Sequence, residues 1–197
     1  MNNSFKAARI ISNIFIPPTN HIVASAFIIF YGDDNPNWFV LLCVVILFGA
    51  VIPLTMFFCL RRRGKIVDSD ATVKEERTVP YFISIFIYAV GTFFLYKLGA
   101  SKLLIAFWIC YSVTSAAILP INCFWKISAH SMGIAGPIAS LYFLFGKLSF
   151  LALPLAFLVM WSRLRLKVHD FMQVATGFLF GYFLTFYQIK LILNLWK

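Results

Sequence analysis

The stretch WFVLLCVVILFGAVIPLTMFFCL, residues 38–60, decides the fold, because its 23 residues include no charged side chain. At about 1.5 Å per residue, a helix of that length crosses the roughly 30 Å of hydrocarbon in a bilayer. Arg61, Arg62 and Arg63 follow it at once. Basic residues at that position are typical of a helix that ends at a membrane surface. The stretch therefore predicts a transmembrane helix.

The composition of the rest of the chain favours the same architecture. Of the 197 residues, 61% are hydrophobic and 12% are charged, which is too apolar for a soluble domain of this size. We expect an all-α fold, a polytopic transmembrane helix bundle of six to seven spans that forms a single domain over residues 1–197. The apolar segments are residues 10–32, 38–60, 78–96, 103–125, a fifth that ends near residue 146, 148–161 and 171–189.

The net charge of +10 indicates membrane lipids, and not nucleic acid, as the partner. The basic residues punctuate the apolar segments, where they set orientation and contact anionic lipid headgroups. The four cysteines form no CxxC pair and are expected to be packing residues, as is His21, which lies in an apolar span. Three histidines without clustered carboxylates predict no metal site and no cofactor.

Two of the three histidines lie in short polar islands between apolar segments. The first island, residues 126–133, contains His130, and the second island, residues 162–170, contains His169. Two crossings separate the loop at 61–79 from the first island, and two more separate the islands, so all three should return to one membrane face. Ionisable residues beside an apolar core indicate a functional site. We expect the two histidines to face one pocket.

Three patterns in these polar segments follow one another in a recognisable order. Residues 162–169 read S-R-x5-H, residues 128–131 read SAHS, and residues 74–80 read KEERTVP. Together they resemble the type 2 phosphatidic acid phosphatase (PAP2) superfamily, whose motifs are K-x6-R-P, P-S-G-H and S-R-x5-H-x3-D. The spacing of the first pattern differs from that of the family. The resemblance covers residues 61–193 and implies a PAP2-like membrane bundle that acts on lipid phosphates.

The chain departs from the family motifs at two further positions. The family places an Asp four residues after its nucleophilic histidine, where this chain has Gln173. The Gln oxygen can accept the ring N–H of His169 but lacks the charge, so we expect the geometry to be kept and the nucleophilicity to be reduced. Asp170 is close in sequence, although adjacent residues on a helix point about 100° apart. Ala129 replaces the glycine of the second motif, which removes backbone freedom.

The resemblance implies a metal-independent phosphatase that hydrolyses a phosphomonoester or pyrophosphate of a lipid. His169 would attack phosphorus to form a phosphohistidine, with Gln173 as its orienting partner, and His130 would protonate the leaving group. Cationic and hydroxyl side chains would bind the phosphate oxygens. These phosphate ligands would be Arg163, Arg77, Lys74 and Ser128.

Two other functions remain open on the sequence. One is a lipid phosphotransferase with the same chemistry. The other is a non-catalytic protein that binds anionic lipid through a decayed site, and Gln173 in place of the family's Asp is the feature that supports it. The face with the motifs carries twelve Lys and Arg residues against five on the other face. By the positive-inside rule, this predicts that the site faces the cytoplasm. The resemblance implies the cytoplasmic membrane of a bacterium. Lys126, beside Trp125, is expected to be an interfacial anchor.

Overall fold

A computed structural model describes residues 3–196 of the chain. Over this range the regular structure is entirely helical. Lys197, one of the five basic residues expected on the face opposite the motifs, lies outside the described residues. The helices are α1 (Asn3–Ile14), α2 (Pro17–Gly32), α3 (Trp38–Ile46), α4 (Ile52–Arg62), α5 (Thr78–Lys97), α6 (Lys102–Phe124), α7 (Ala129–Phe145), α8 (Leu153–Arg165) and α9 (Phe171–Leu195).

The lengths and composition of the helices confirm an all-helical fold with membrane-capable helices, but they give five or six such spans where the sequence predicted six to seven. Five helical stretches are long and apolar enough to cross a membrane, and α1 with α2 gives a sixth if this bent pair counts as one span. Several long apolar helices of this kind are typical of an integral membrane protein. The five stretches are Trp38–Arg62, Lys74–Lys97, Lys102–Phe124, Ala129–Arg165 and Phe171–Leu195.

The first apolar segment of the sequence is divided into two helices. α1 ends at Ile14, α2 begins with Pro17 and Pro18, and the two helices meet at 52°. A proline has no backbone N–H to donate, so it suits the first turn of a new helix and interrupts a continuous one. α1 packs along α8, and the guanidinium of Arg165 donates to Ser4 Oγ at 2.9 Å. α1 therefore lies against the bundle beside α8.

The stretch Ala129–Arg165 is long enough to cross once, but it folds back as a hairpin. Gly146 ends α7 with φ +59°, a backbone conformation that favours glycine, and the 3-10 turn Gly146–Ala152 leads into α8. Ile134 of α7 packs in one apolar cluster with Val159 of α8. The start of α7 and the end of α8 consequently lie at the same end of the bundle, as the two separate sequence segments predicted.

The loops at the other end of the bundle are closed by hydrogen bonds between remote residues. Asn35 Nδ2 donates to the Leu98 carbonyl at 2.7 Å, and Lys102 Nζ donates to the Trp196 carbonyl at 2.7 Å. The largest apolar core extends towards this end from mid-bundle and includes Leu104. This half of the molecule is a packed apolar scaffold, and the polar segments with the two candidate histidines lie at the opposite end.

Candidate active site

Arg77 connects the loop before α5 to the first histidine island. Its side chain is buried, and its Nε donates to the Ala71 carbonyl at 2.7 Å while Nη1 donates to the Ile127 carbonyl at 3.0 Å. Its Nη2 also donates to the Asp70 carbonyl at 3.3 Å. These bonds occupy three of the five N–H groups of a guanidinium. The Tyr81 side chain also bonds to this guanidinium, so Arg77 is held firmly in the wall of the site.

The first island is joined in turn to the second island. Lys126 Nζ donates to the Val168 carbonyl at 2.7 Å, and the backbone N–H of Ser128 donates to the Gln173 carbonyl at 3.2 Å. α7 and α9 can approach this closely because Gly177 has no side chain, and a Cβ there would lie 2.8 Å from the Ser128 carbonyl oxygen. The three polar segments that the sequence placed on one face do meet at one end of the bundle.

Arg163 is completely buried and forms an ion pair that sequence reasoning missed. Its Nη1 lies 2.7 Å from Asp70 Oδ1 and also donates to Ser12 Oγ. The other Asp70 oxygen pairs with Arg9 Nη1 at 2.7 Å. Burial disfavours the charged form of Asp70, but the two arginines outweigh that effect and hold the pKa of Asp70 below its ordinary value.

Arg163 keeps part of its hydrogen-bonding capacity unused. Its Nε and Nη2 atoms are buried and have no hydrogen-bond partner. A buried guanidinium N–H without a partner is unfavourable, so a native protein usually supplies one from a ligand, an ion or water. These N–H groups leave Arg163 with unused donors close to Asp70, which lines the cavity.

His169 lies in the turn between α8 and α9, where it has one direct side-chain partner. Its Nδ1 is 2.7 Å from Gln173 Oε1, which is the contact that the sequence predicted for this glutamine. Burial, followed by the positive charge of Arg77, lowers the pKa of His169 from 6.5 to about 3. The imidazole is therefore neutral at physiological pH, as a nucleophile must be.

His130 and His169 line one cavity of about 430 Å³. His130 occupies the first turn of α7, whose preceding residue Ser128 is buried and accepts the Ser131 N–H at its hydroxyl. The polar end of the cavity also includes Asp70 and Arg77. From there the cavity passes between α2, α4, α5, α6, α7 and α9. Its inner wall includes Pro17, Met56, Phe57, Tyr88, Ile118 and Thr185.

The four predicted phosphate ligands have different positions relative to this cavity. Arg77 lines the cavity. Arg163 lies behind Asp70, to which it bonds, and Asp70 lines the cavity. Ser128 uses its hydroxyl to cap α7 and does not line the cavity. Lys74 is also outside the cavity wall, where its Nζ donates to the Cys123 carbonyl at 2.6 Å.

The structure adds a cation that the sequence had assigned to the membrane interface. Lys126 lies close enough to the site for its pKa to be lowered, first by burial and then by the charges of Arg77 and Arg163. Asp70 is identified only once the structure shows that Arg163 is buried, because a buried arginine needs an acidic partner. Ser12 and Arg9 precede the motifs, and no sequence pattern marks them.

Within residues 3–196, no three His, Cys, Asp or Glu side chains come together in a way that could hold a metal ion. Comparison of the chain with family models, with curated proteins and with solved structures found no match. What the fold and the site define is an all-helical protein with five or six membrane-capable helices and a buried histidine–arginine centre at one end.

Proposed function

We propose that the chain is an integral membrane lipid phosphate phosphatase of the PAP2 type, which works through a phosphohistidine. The observation that carries the proposal is the cavity shared by His130 and His169, with Arg77 in its wall and Arg163 beside it. These groups come from three remote segments of the chain, and their order matches the motifs of the resembled family. Two imidazoles and two guanidiniums suit transfer of a phosphoryl group.

In the proposed reaction, His169 acts as the nucleophile. The lone pair of its Nε2 forms a bond to phosphorus while the bond from phosphorus to the leaving oxygen breaks, and His130 gives that oxygen a proton. Water then attacks the phosphohistidine and passes a proton to His130. Inorganic phosphate leaves, and both imidazoles return to their starting state. The lowered pKa of His169 supports this role, because its ring needs no deprotonation before attack.

The charges around the cavity suit a phosphate dianion. Arg77, Arg163 and Lys126 supply positive charge, and Asp70 offsets part of it. The unpartnered N–H groups of Arg163 can donate to non-bridging oxygens, and Arg77 adds positive charge in the cavity wall. Such preorganised donors stabilise the charge of the transition state without first having to reorganise.

The apolar part of the cavity supports a lipid as the substrate. On α9, Thr185 lies 14 residues after Phe171, so the cavity reaches about 20 Å from the polar end of the bundle at roughly 1.5 Å per residue. Phe58 lines the cavity and is 56% exposed, so the cavity is open on the α4 side. A hydrocarbon tail can occupy this space while its phosphate lies at the histidines.

The same site supports a second candidate, a protein that binds anionic lipids without turnover. The observation that favours it is the Asp70 carboxylate, which lies in the cavity wall and already occupies Nη1 of Arg163. A negative group in that position repels a phosphate, and Gln173 brings no charge to the nucleophile. Both features would lower catalytic power and still permit headgroup binding.

Phosphate release tests the enzyme proposal. Purified protein in lipid nanodiscs is offered phosphatidic acid, phosphatidylglycerophosphate and an isoprenyl pyrophosphate, with the variant His169→Ala alongside. We expect release from at least one lipid and its loss in the variant, with an unchanged circular dichroism spectrum. Equal release by the two proteins would remove the enzyme proposal. Binding of the lipids without release would favour the second candidate.

We further propose that the site faces the cytoplasm, because the basic residues concentrate at its end of the bundle. A membrane-impermeant maleimide applied to intact cells tests this in a background without the four native cysteines. Asn35→Cys lies at the opposite end and should be labelled, and Lys65→Cys lies at the site end and should be protected. The reverse pattern would place the site outside.

A further inference from the structure

We infer that Asp170 sets the tautomer of His169 by fixing the orientation of the Gln173 amide. This makes Asp170 a positioning residue for the proposed nucleophile, and the inference rests on the proposed function for its catalytic meaning. It assigns a role to a carboxylate that does not touch the imidazole. It also explains how a glutamine can stand where the resembled family has an aspartate.

Three hydrogen bonds link these side chains in a row. Gln173 Oε1 lies 2.7 Å from His169 Nδ1, and Gln173 Nε2 donates to Asp170 Oδ2 at 2.8 Å. The other Asp170 oxygen, Oδ1, accepts the backbone N–H of Gln173 at 2.9 Å. This last bond caps the N-terminus of α9 and holds the carboxylate in place. Both oxygens of Asp170 are therefore engaged with one residue.

The chemical nature of the groups gives this row a direction. An ionised carboxylate can only accept hydrogen bonds, so Asp170 requires the NH₂ group of the Gln173 amide to face it. The carbonyl oxygen of that amide must then face His169. Because an oxygen can only accept, Nδ1 of His169 has to carry the ring proton. The lone pair is left on Nε2, the nitrogen needed for attack on phosphorus.

Without Asp170, the Gln173 amide has no fixed direction. A turn of 180° would present its NH₂ group to His169 Nδ1, and the ring would then carry its proton on Nε2. That tautomer has no lone pair on the attacking nitrogen. Asp170 thus acts on the ring indirectly, because its negative charge fixes the direction of the Gln173 amide dipole beside the ring.

The variant Asp170→Asn separates this role from the cap. Asparagine is as good an N-cap as aspartate, so α9 keeps its first turn. Its Nδ2 donates instead of accepting, however, and so it favours the turned amide of Gln173. The second change Gln173→Glu should reverse the effect, because in the double variant the Glu carboxylate accepts from both the introduced asparagine amide and His169 Nδ1.

Nitrogen NMR of histidine-labelled protein measures the tautomer directly. The chain has three histidines, and the signals of His169 are those lost in His169→Gln. We expect the Nδ1–H form in the wild type, a large fraction of the Nε2–H form in Asp170→Asn, and the Nδ1–H form again in Asp170→Asn/Gln173→Glu. Asp34→Asn, an exposed position at the opposite end of the bundle, is the matched control and should leave the signals unchanged.

Turnover is measured on the same proteins. We expect kcat to fall about 10- to 100-fold in Asp170→Asn with little change in KM, and to recover in the double variant. An unchanged tautomer in Asp170→Asn would overturn the inference, whatever the activity. If the tautomer changes as expected and the wild type turns over no lipid phosphate, the proposed function fails and the orienting role of Asp170 stands.

Discussion

His21 and His169 are two buried histidines of one membrane bundle, and their surroundings differ in kind. His21 stacks on Tyr111 with ring centroids 3.9 Å apart and lies beside Trp108, and neither of its ring nitrogens has a hydrogen-bond partner. His169 bonds to Gln173 and lies near Arg77, in the wall of a cavity. The first matches the packing role that the sequence predicted.

This comparison shows which feature distinguishes a reactive buried histidine from one that serves only in packing. Burial is common to both residues, and so it does not separate them. What separates them is the set of polar groups that other segments bring to the ring. A neutral imidazole among aromatic rings contributes contact area, whereas an imidazole with a bonded nitrogen and nearby cations has a defined tautomer and a charge field.

The strongest way to sharpen the comparison is to remove the second histidine of the cavity. His130→Ala should lower kcat by about 10²- to 10⁴-fold, the usual contribution of a general acid. The loss should be much smaller with an aryl phosphate, whose leaving group needs no proton. Phosphate release from the two substrates measures the ratio, and an equal loss for both would contradict the acid role.

Arg77 and Lys74 test whether the cavity, and not the motif pattern alone, selects the phosphate ligands. Both were predicted from the sequence, but Arg77 lines the cavity and Lys74 bonds to the Cys123 carbonyl. We expect kcat/KM to fall about 100-fold in Arg77→Gln, and by less than about threefold in Lys74→Gln. A comparable loss in both variants would show that the Lys74 ammonium also reaches the substrate.

The ion pair of Asp70 with Arg163 should make stability depend on pH. Because the folded-state pKa of Asp70 is lowered, its contribution is complete above the ordinary value of 3.8 and is lost as pH falls through the folded-state pKa. Asp70→Asn should reduce the free energy of unfolding by about 3 kcal/mol near pH 7 and flatten this acid limb. Thermal unfolding in detergent between pH 2 and 7 measures both, with Asp34→Asn as control. An unchanged acid limb would show that the pair is not responsible.

The smallest effect is expected at the histidine on the other side of the comparison. His21→Phe keeps an aromatic ring in the stack and removes two buried nitrogens that have no partner. Activity should stay within about twofold, and the free energy of unfolding should change by less than about 1 kcal/mol. A loss of activity near that of His169→Ala would show that His21 takes part in the chemistry, and would contradict its assignment as a packing residue.

The sequence predicted the helical architecture and the meeting of the three polar segments. Runs of apolar residues identify helices of membrane length, and counting crossings brings both histidines to one end. The same reasoning did not find Asp70, since four acidic residues lie in the loop and only tertiary packing shows which one meets Arg163. The break before Pro17 lies at two consecutive prolines, whereas the packing of α1 on α8 depends on contacts between residues about 150 positions apart.

The division of labour between Gln173 and Asp170 lay beyond the sequence for a similar reason. Because His169 and Asp170 are adjacent, helical spacing directs them about 100° apart and gives no reason to expect Asp170 at the imidazole. In the structure, Asp170 precedes α9 as its cap and contacts the Gln173 side chain instead. Side-chain contacts of this kind depend on where a helix begins, which is the least predictable part of a sequence assignment.

The most direct test of the account is to trap the covalent intermediate. Wild-type protein is mixed with a radiolabelled lipid phosphate that it turns over, quenched within milliseconds, and digested to locate the label. A phosphohistidine mechanism predicts a phosphoryl group on His169, labile in acid and stable in alkali, and absent in His169→Ala. Turnover without any labelled protein, or a label that persists in the variant, would contradict it.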